Sequence, residues 1–133
     1  MGYRSNGVFA LKREVYDRAV LLDVLGTFPS LLKEIEPDIR EDVVYWEYRG
    51  YKMYQGYPDV DEFTNWMEHF NTDNVDELPW LTGFQVPHWR TGEMEDPDLE
   101  EMFQYIRVGE DDGDIEHIGT LGCLYTSTTI ERY

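Results

Sequence analysis

The sequence predicts an α+β domain of ferredoxin-like order, β-α-β-β-α-β, with one or two extra strands at its C-terminal end. Two segments carry apolar residues at the spacing of a helix that buries one face: Val15, Ala19, Leu22 and Leu25, then Phe63, Trp66, Met67 and Phe70. The segments around them are rich in β-branched and aromatic residues, which suit a pleated, half-buried surface. The 133 residues are the size of one domain, and 41% hydrophobic and 15% aromatic content argue for a packed core despite a net charge of −17.

Gly7-Val8-Phe9-Ala10-Leu11-Lys12 is the first strand, a short apolar run ending at a charge. The first helix starts at about Glu14, and Gly26 fits as its terminator because glycine takes the left-handed conformation at helix ends. A second short helical piece runs from Pro29 through Leu31, Leu32 and Ile35 and stops before Pro37. Val43 to Arg49 is strand, Gly50 marks a turn, and Tyr51-Lys52-Met53-Tyr54 is the returning strand of a hairpin. Gly56-Tyr57-Pro58-Asp59 introduces the next helix, with Pro58 at its start and Asp59 and Asp61 beside its positive end. That helix ends near Asn71.

Residues 71–95 then show no clean period, with Pro79, Gly83, Pro87 and Gly92 interleaved with Trp80, Phe84 and Trp89. Asp96-Pro97-Asp98-Leu99-Glu100-Glu101 reads as an N-cap followed by one helical turn. The whole stretch of about 71–101 is a long aromatic and acidic insertion, and connections longer than about 12–15 residues are often functional. Met102 to Val108 is strand, Glu110 to Asp114 a turn, Ile115 to Ile118 a short strand, and Cys123 to Ile130 a longer one rich in Thr. With right-handed crossovers, this order gives an antiparallel sheet with two helices on one face.

The charge is unevenly placed. Residues 1–34 carry +1, residues 35–70 carry −6 and residues 71–133 carry −12, and the stretch Glu93 to Glu116 holds eleven carboxylates against the single base Arg107. Such an excess repels itself and repels phosphates, which argues against binding nucleic acid directly. No run approaches the roughly 18 apolar residues of a membrane span, and no secretory pattern stands at the start. Asn6 stands where the myristoylation pattern needs Ser or Thr. Cys123 is the only cysteine, so no intramolecular disulfide or cysteine-based metal site forms, and a reducing cytosolic setting is expected.

No catalytic residue and no cofactor is expected. His69, His88 and His117 are scattered over a helix, a loop and a strand, at no metal-ligand spacing. Cys123 has no basic neighbour in sequence to lower its pKa and reads as a structural thiol. Ser127 sits among Thr126, Thr128 and Thr129 without a Gly-x-Ser-x-Gly elbow. Asp111, Asp112, Asp114 and Glu116 offer oxygen ligands for a divalent cation, but they lack the alternating EF-hand positions, and a hairpin turn explains Asp-Asp-Gly-Asp better. The insertion is the stronger candidate. Trp80, Phe84, Trp89 and Arg90 are residue types that anchor interfaces, and Glu93, Glu95, Asp96, Asp98, Glu100 and Glu101 would steer a basic partner; the alternative is that the rings fold back to pin the loop onto the sheet, and both hold if one ring anchors inward while another stays exposed.

Several segments together resemble a group of small, uncharacterised bacteriophage and prophage proteins that begin Met-Gly-Tyr-Arg-Ser. Met1-Gly2-Tyr3-Arg4-Ser5 with Val8 and Ala10 is similar to their opening. Tyr51-Lys52-Met53-Tyr54-Gln55-Gly56-Tyr57-Pro58-Asp59-Val60 resembles their strand-to-helix junction, and Ile106 to Asp111 followed by Asp114-Ile115-Glu116 their late strand and acidic turn. The likeness covers most of residues 1–70 and 102–131 and implies a phage-type protein in the cytoplasm of an infected bacterium, with no catalytic residues to carry over. It leaves residues 71–101 as the specialised part.

The function expected is therefore non-enzymatic: binding and modulating a host protein through this acidic, aromatic-anchored surface, which would meet a basic patch on the partner, one version being occupation of a nucleic-acid-binding site. Two alternatives are a divalent-metal-dependent hydrolase of nucleotides or phosphodiesters, using the carboxylates around Asp111 to Asp114, and a structural or assembly component of a phage particle.

Overall fold

The first strand of the chain is the one on which the others assemble. In the computed structural model, which describes residues 4–53, 56–110, 113–126 and 130–132, β1 (Ser5–Lys12) pairs antiparallel with β3 (Val43–Tyr51) on one side and β6 (Phe103–Gly109) on the other. β2 (Asp38–Ile39) flanks β3 and β7 (Ile115–Ile118) flanks β6, giving a five-stranded sheet of order β2-β3-β1-β6-β7. Val8, Phe9, Ala10 and Leu11 are all buried, as a central strand covered on both faces requires.

Alternation sorts the side chains onto two faces. Phe9 and Leu11, Val44, Trp46 and Tyr48, Phe103 and Tyr105 join the main core cluster. Three helices supply its other half: α1 (Arg13–Leu21) through Val15, Tyr16 and Ala19, α2 (Ser30–Lys33) through Leu31 and Leu32, and α3 (Pro58–Asn71) through Phe63, Met67 and Phe70. Phe9 is the hub, with ring centroids 5.5–5.9 Å from Trp46, Phe63, Trp66 and Phe103. Tyr48 and Tyr105 meet hydroxyl to hydroxyl at 2.5 Å inside this layer, and burial pushes both phenols up. Gly7 makes room for that pair, since a Cβ there would lie 2.4 Å from the Tyr48 ring.

On the opposite face Val8, Ala10, Tyr45 and Ile106 are capped by Leu124. Leu124 belongs to a separate two-stranded ribbon, β8 (Leu124–Thr126) with β9 (Ile130–Arg132). The ribbon is fastened by one buried side chain. Gln104 Oε1 accepts from the amides of Cys123 and Leu124, each at 2.9 Å, while its Nε2 donates to the Leu124 carbonyl at 3.1 Å. A glutamine amide here does the work of a peptide group in a ladder. Arg132 adds an ion pair to Asp38 at 2.7 Å and lies over the Tyr45 ring at 3.9 Å.

The α+β class and the antiparallel sheet stand as expected, but several details differ. Among the described residues the sheet has five strands, and three helices rather than two pack on its face, because the short helical piece expected behind Pro29 is there as α2 and joins the same core. Val43 to Tyr51 is one strand, so the expected hairpin with a return over Tyr51 to Tyr54 is absent from the described residues; Tyr54 lies outside them. Gly50, with φ +63, sits where Ser5 pairs with Tyr51 but Gly7 with Tyr48, an extra residue on β3. Glycine serves a turn and a bulge for the same reason, its freedom at positive φ. The hairpin lies upstream instead, where Asp38 and Ile39 face Tyr45 and Val44. At the C-terminal end, the expected strand Cys123 to Ile130 is two short ones. With β7, the strands after β6 number three among the described residues rather than one or two. Helix α1 also stops early. Asp23, with φ +55, ends it in place of Gly26, and Leu22 turns outward at 44% exposure rather than joining the core.

Candidate protein-binding surface

The insertion of residues 71–101 begins and ends at one point. Past α3, Asp73 takes a left-handed turn with φ +55, and its Oδ1 accepts from the amide of Leu99 at 3.1 Å. Asp98 caps the 3₁₀ turn Leu99–Met102 by accepting from the Glu100 amide, and Leu99 and Met102 sink into the core. The segment is thus a closed excursion whose base is pinned.

Its first half is core. Two short 3₁₀ turns, Val75–Glu77 and Pro79–Leu81, bury Leu78, Trp80 and Leu81. Trp80 packs with ring centroids 5.9 Å from Phe28 and 6.4 Å from Phe70. Arg18 of α1 holds the stretch from outside. Its Nε donates to the Trp80 carbonyl at 2.6 Å, another guanidinium nitrogen to the Thr82 carbonyl at 2.8 Å, and its carbon stands 5.5 Å from the Phe84 ring. Phe84 is half-buried against the main core.

Its second half is a hairpin rooted in the core by Val86 and leaving it from Pro87 outward. β4 (Val86–Pro87) pairs with β5 (Met94–Glu95), and the tip is closed by the His88 amide donating to the Glu93 carbonyl and the Gly92 amide to the His88 carbonyl. His88 Nδ1 accepts from the amides of Arg90 and Thr91, which shapes the turn. Trp89 stands at this tip, 82% exposed, with the His88 ring stacked beside it at 5.9 Å and the Arg90 guanidinium 4.7 Å over it. Met94, 58% exposed, stands opposite Pro87 on the returning strand of the same hairpin.

Of the interface residues expected from sequence, the structure brings Trp89, Arg90, Glu93 and Glu95 together on this hairpin, and places Asp96 just beyond it. Trp80 and Phe84 are not surface anchors: they pin the segment inward. Asp98 is occupied as a cap, while Glu100 is half-buried with its carbonyl accepting from Thr120. Glu93, Glu95, Asp96, Asp98 and Glu101 are exposed, and none of the carboxylates from Glu93 to Glu101 forms an ion pair among the described residues. Met94 and His88 were not expected at the site. Their signal was the run His88-Trp89-Arg90 ahead of Gly92, which reads as a hairpin tip only once Pro87 and Met94 are known to pair.

The acidic run near Gly113 is different. Asp114 meets Arg107 at 2.9 Å and Glu116 lies 3.9 Å from the same guanidinium, so a positive charge already stands between these carboxylates. The run closes the β6–β7 turn, where the Gly109 amide donates to the Asp114 carbonyl. Asp111 and Asp112 lie outside the described residues, and among those described no group of three His, Cys, Asp or Glu is placed to hold a metal ion. Burial pushes the Cys123 thiol up to about 11, away from nucleophilic use. Ser127, Thr128 and Thr129 lie outside the described residues. No helix among them is long and apolar enough to cross a membrane. No protein-family model, curated protein or solved structure matches the chain.

Proposed function

We propose that this chain is a non-enzymatic accessory protein of bacteriophage type, acting in the cytoplasm of an infected bacterium, where it binds and modulates a host protein through the β4–β5 hairpin. The observation that carries the reading is Trp89, a large ring held 82% exposed on an ordered turn. An exposed tryptophan gains on the order of 1.5–3 kcal/mol when a partner covers it, and a ring already positioned by Arg90 and His88 loses little freedom in docking. The unpaired carboxylates beside it select a basic partner and speed its approach. A nucleic-acid-binding groove is one such partner, since it offers cations and an aromatic platform together. The fold we propose to underlie this is a ferredoxin-like sheet, β2-β3-β1-β6, extended by β7 at one edge. The Arg107 ion pairs favour this binding role over cation-dependent hydrolysis.

Affinity capture from bacterial lysate at low salt tests the proposal. The expected result is a basic protein retained by the wild type, shed as salt rises, and bound about 30-fold or more weakly by Trp89→Ala, the loss of a hot-spot residue. Retention of no basic protein, or equal retention by Trp89→Ala, overturns it.

A further inference from the structure

The two legs of the 71–101 excursion lie side by side without filling the space between them. A cleft of about 200 Å³ opens there, with Leu81 and Phe84 contributed by the outgoing leg and Pro97 and Leu99 by the returning one. Leu81 and Leu99 are each 3% exposed, so the floor is apolar and belongs to the core, and Val75 adds an apolar side chain that is 38% exposed. Gly83 lines the cleft without a side chain, at φ +76, and a Cβ there would meet nothing within 4 Å.

Charge is placed on this apolar lining in one sign only. Asp73 and Asp96 both line the cleft and both are exposed. No basic side chain lines it; Arg18, which stands over the Phe84 ring, is not part of the lining. Asp73 uses Oδ1 to accept from the Leu99 amide, and Asp96 Oδ1 meets Gln85 Nε2 at 3.4 Å, long for a hydrogen bond. Among the described residues neither carboxylate forms an ion pair, and the second oxygen of each has no donor on it.

Size and chemistry together choose the occupant. The cleft lies below the roughly 300–1,000 Å³ of small-molecule sites and is of a size for one side chain. A neutral apolar side chain seated on the floor strips water from two carboxylates and returns no bond to them. A long basic one covers the floor with its methylene stem and keeps its charge at the rim.

We infer that this cleft receives one arginine or lysine side chain of the host protein, its stem against Leu81, Phe84 and Leu99 and its cation at Asp73 and Asp96. The inference deepens the docking role proposed for the insertion and rests on it for the partner. Cleft and hairpin are nevertheless separate contacts, since Trp89 does not line the cleft.

The test follows the amide chemical shifts of isotope-labelled protein at low salt as acetyl-Gly-Arg-Gly-amide is added, with acetyl-Gly-norleucine-Gly-amide as the uncharged stem. The arginine peptide is expected to saturate shifts confined to residues 73–75, 81–84 and 96–99, with a Kd on the order of millimolar. The norleucine peptide should bind about fivefold more weakly, the loss of the ion pairs. Asp96→Asn should weaken the arginine peptide about threefold. Val75→Lys, which supplies a cation of its own to the cleft, should abolish its binding, with the spectrum elsewhere unchanged. No saturable shift, shifts spread over the whole acidic surface, equal binding of the norleucine peptide, or full binding by both variants overturns the inference. The host protein takes no part in this measurement, so the cleft can fail while capture through Trp89 stands, and the reverse.

Discussion

Trp80 and Trp89 stand nine residues apart in one segment, and their surroundings are opposite. Trp80 is 9% exposed between Phe28 and Phe70; Trp89 is 82% exposed on a hairpin tip. Each has an arginine beside it, but the two arginines act differently. Arg18 comes from α1, 62 residues away, and ties the carbonyls of Trp80 and Thr82 to the body of the protein. Arg90 is Trp89's own neighbour and covers its ring without fastening it to anything distant. The difference teaches that the insertion is two pieces in series, an inner piece that completes the core and an outer piece that the inner one holds in place.

The comparison breaks most easily at Trp80. Trp80→Ala is expected to destabilise the protein by about 3–5 kcal/mol, as loss of a buried ring leaves a cavity that its neighbours fill only in part. Urea denaturation measures it. A loss under about 1 kcal/mol would mean that Trp80 is a passenger and that the insertion hangs on the 3₁₀ backbone alone.

Arg18→Met separates the fastening from the filling. It keeps a long apolar stem beside Phe84 and removes two donors from carbonyls, so about 1–2 kcal/mol is expected by the same measurement. The accompanying sign is faster amide exchange at residues 80–84 with the rest of the sheet unchanged. Uniform exchange across the protein would instead show Arg18 supporting the whole core.

How much of this the sequence carried depends on the range of the interactions involved. Helix α3 was legible because fourteen residues repeat one apolar stripe behind Pro58, and β1 and β6 because short apolar runs end in charge or turn. β2 was not, since two residues beginning with Asp38 carry no strand signal and gain their pairing from β3. Gly50 announced a positive φ but not whether a turn or a bulge would use it. Leu22 kept the helical spacing that Asp23 then interrupted. For the site, the residue types at 80–101 pointed to an anchored surface, yet nothing local told Trp80 from Trp89. Phe28 and Arg18, both distant in sequence, decide that together with Phe70 on the preceding helix.

The smallest expected effect is the sharpest test of the division. Trp89→Ala removes a ring whose contacts are His88, its neighbour in the chain, and Arg90, an exposed cation–π pair worth about 0.5–1 kcal/mol at most. The β4–β5 backbone bonds and the His88 turn do not involve the indole, so stability should stay within about 0.5 kcal/mol of wild type. Fluorescence supplies a second readout, because the remaining Trp46, Trp66 and Trp80 are buried or half-buried. Emission of Trp89→Ala should shift to the blue and resist acrylamide quenching more than wild type. If the variant instead melts as Trp80→Ala does, the outer piece is bracing the inner one, and the hairpin is built into the core's stability rather than carried by it.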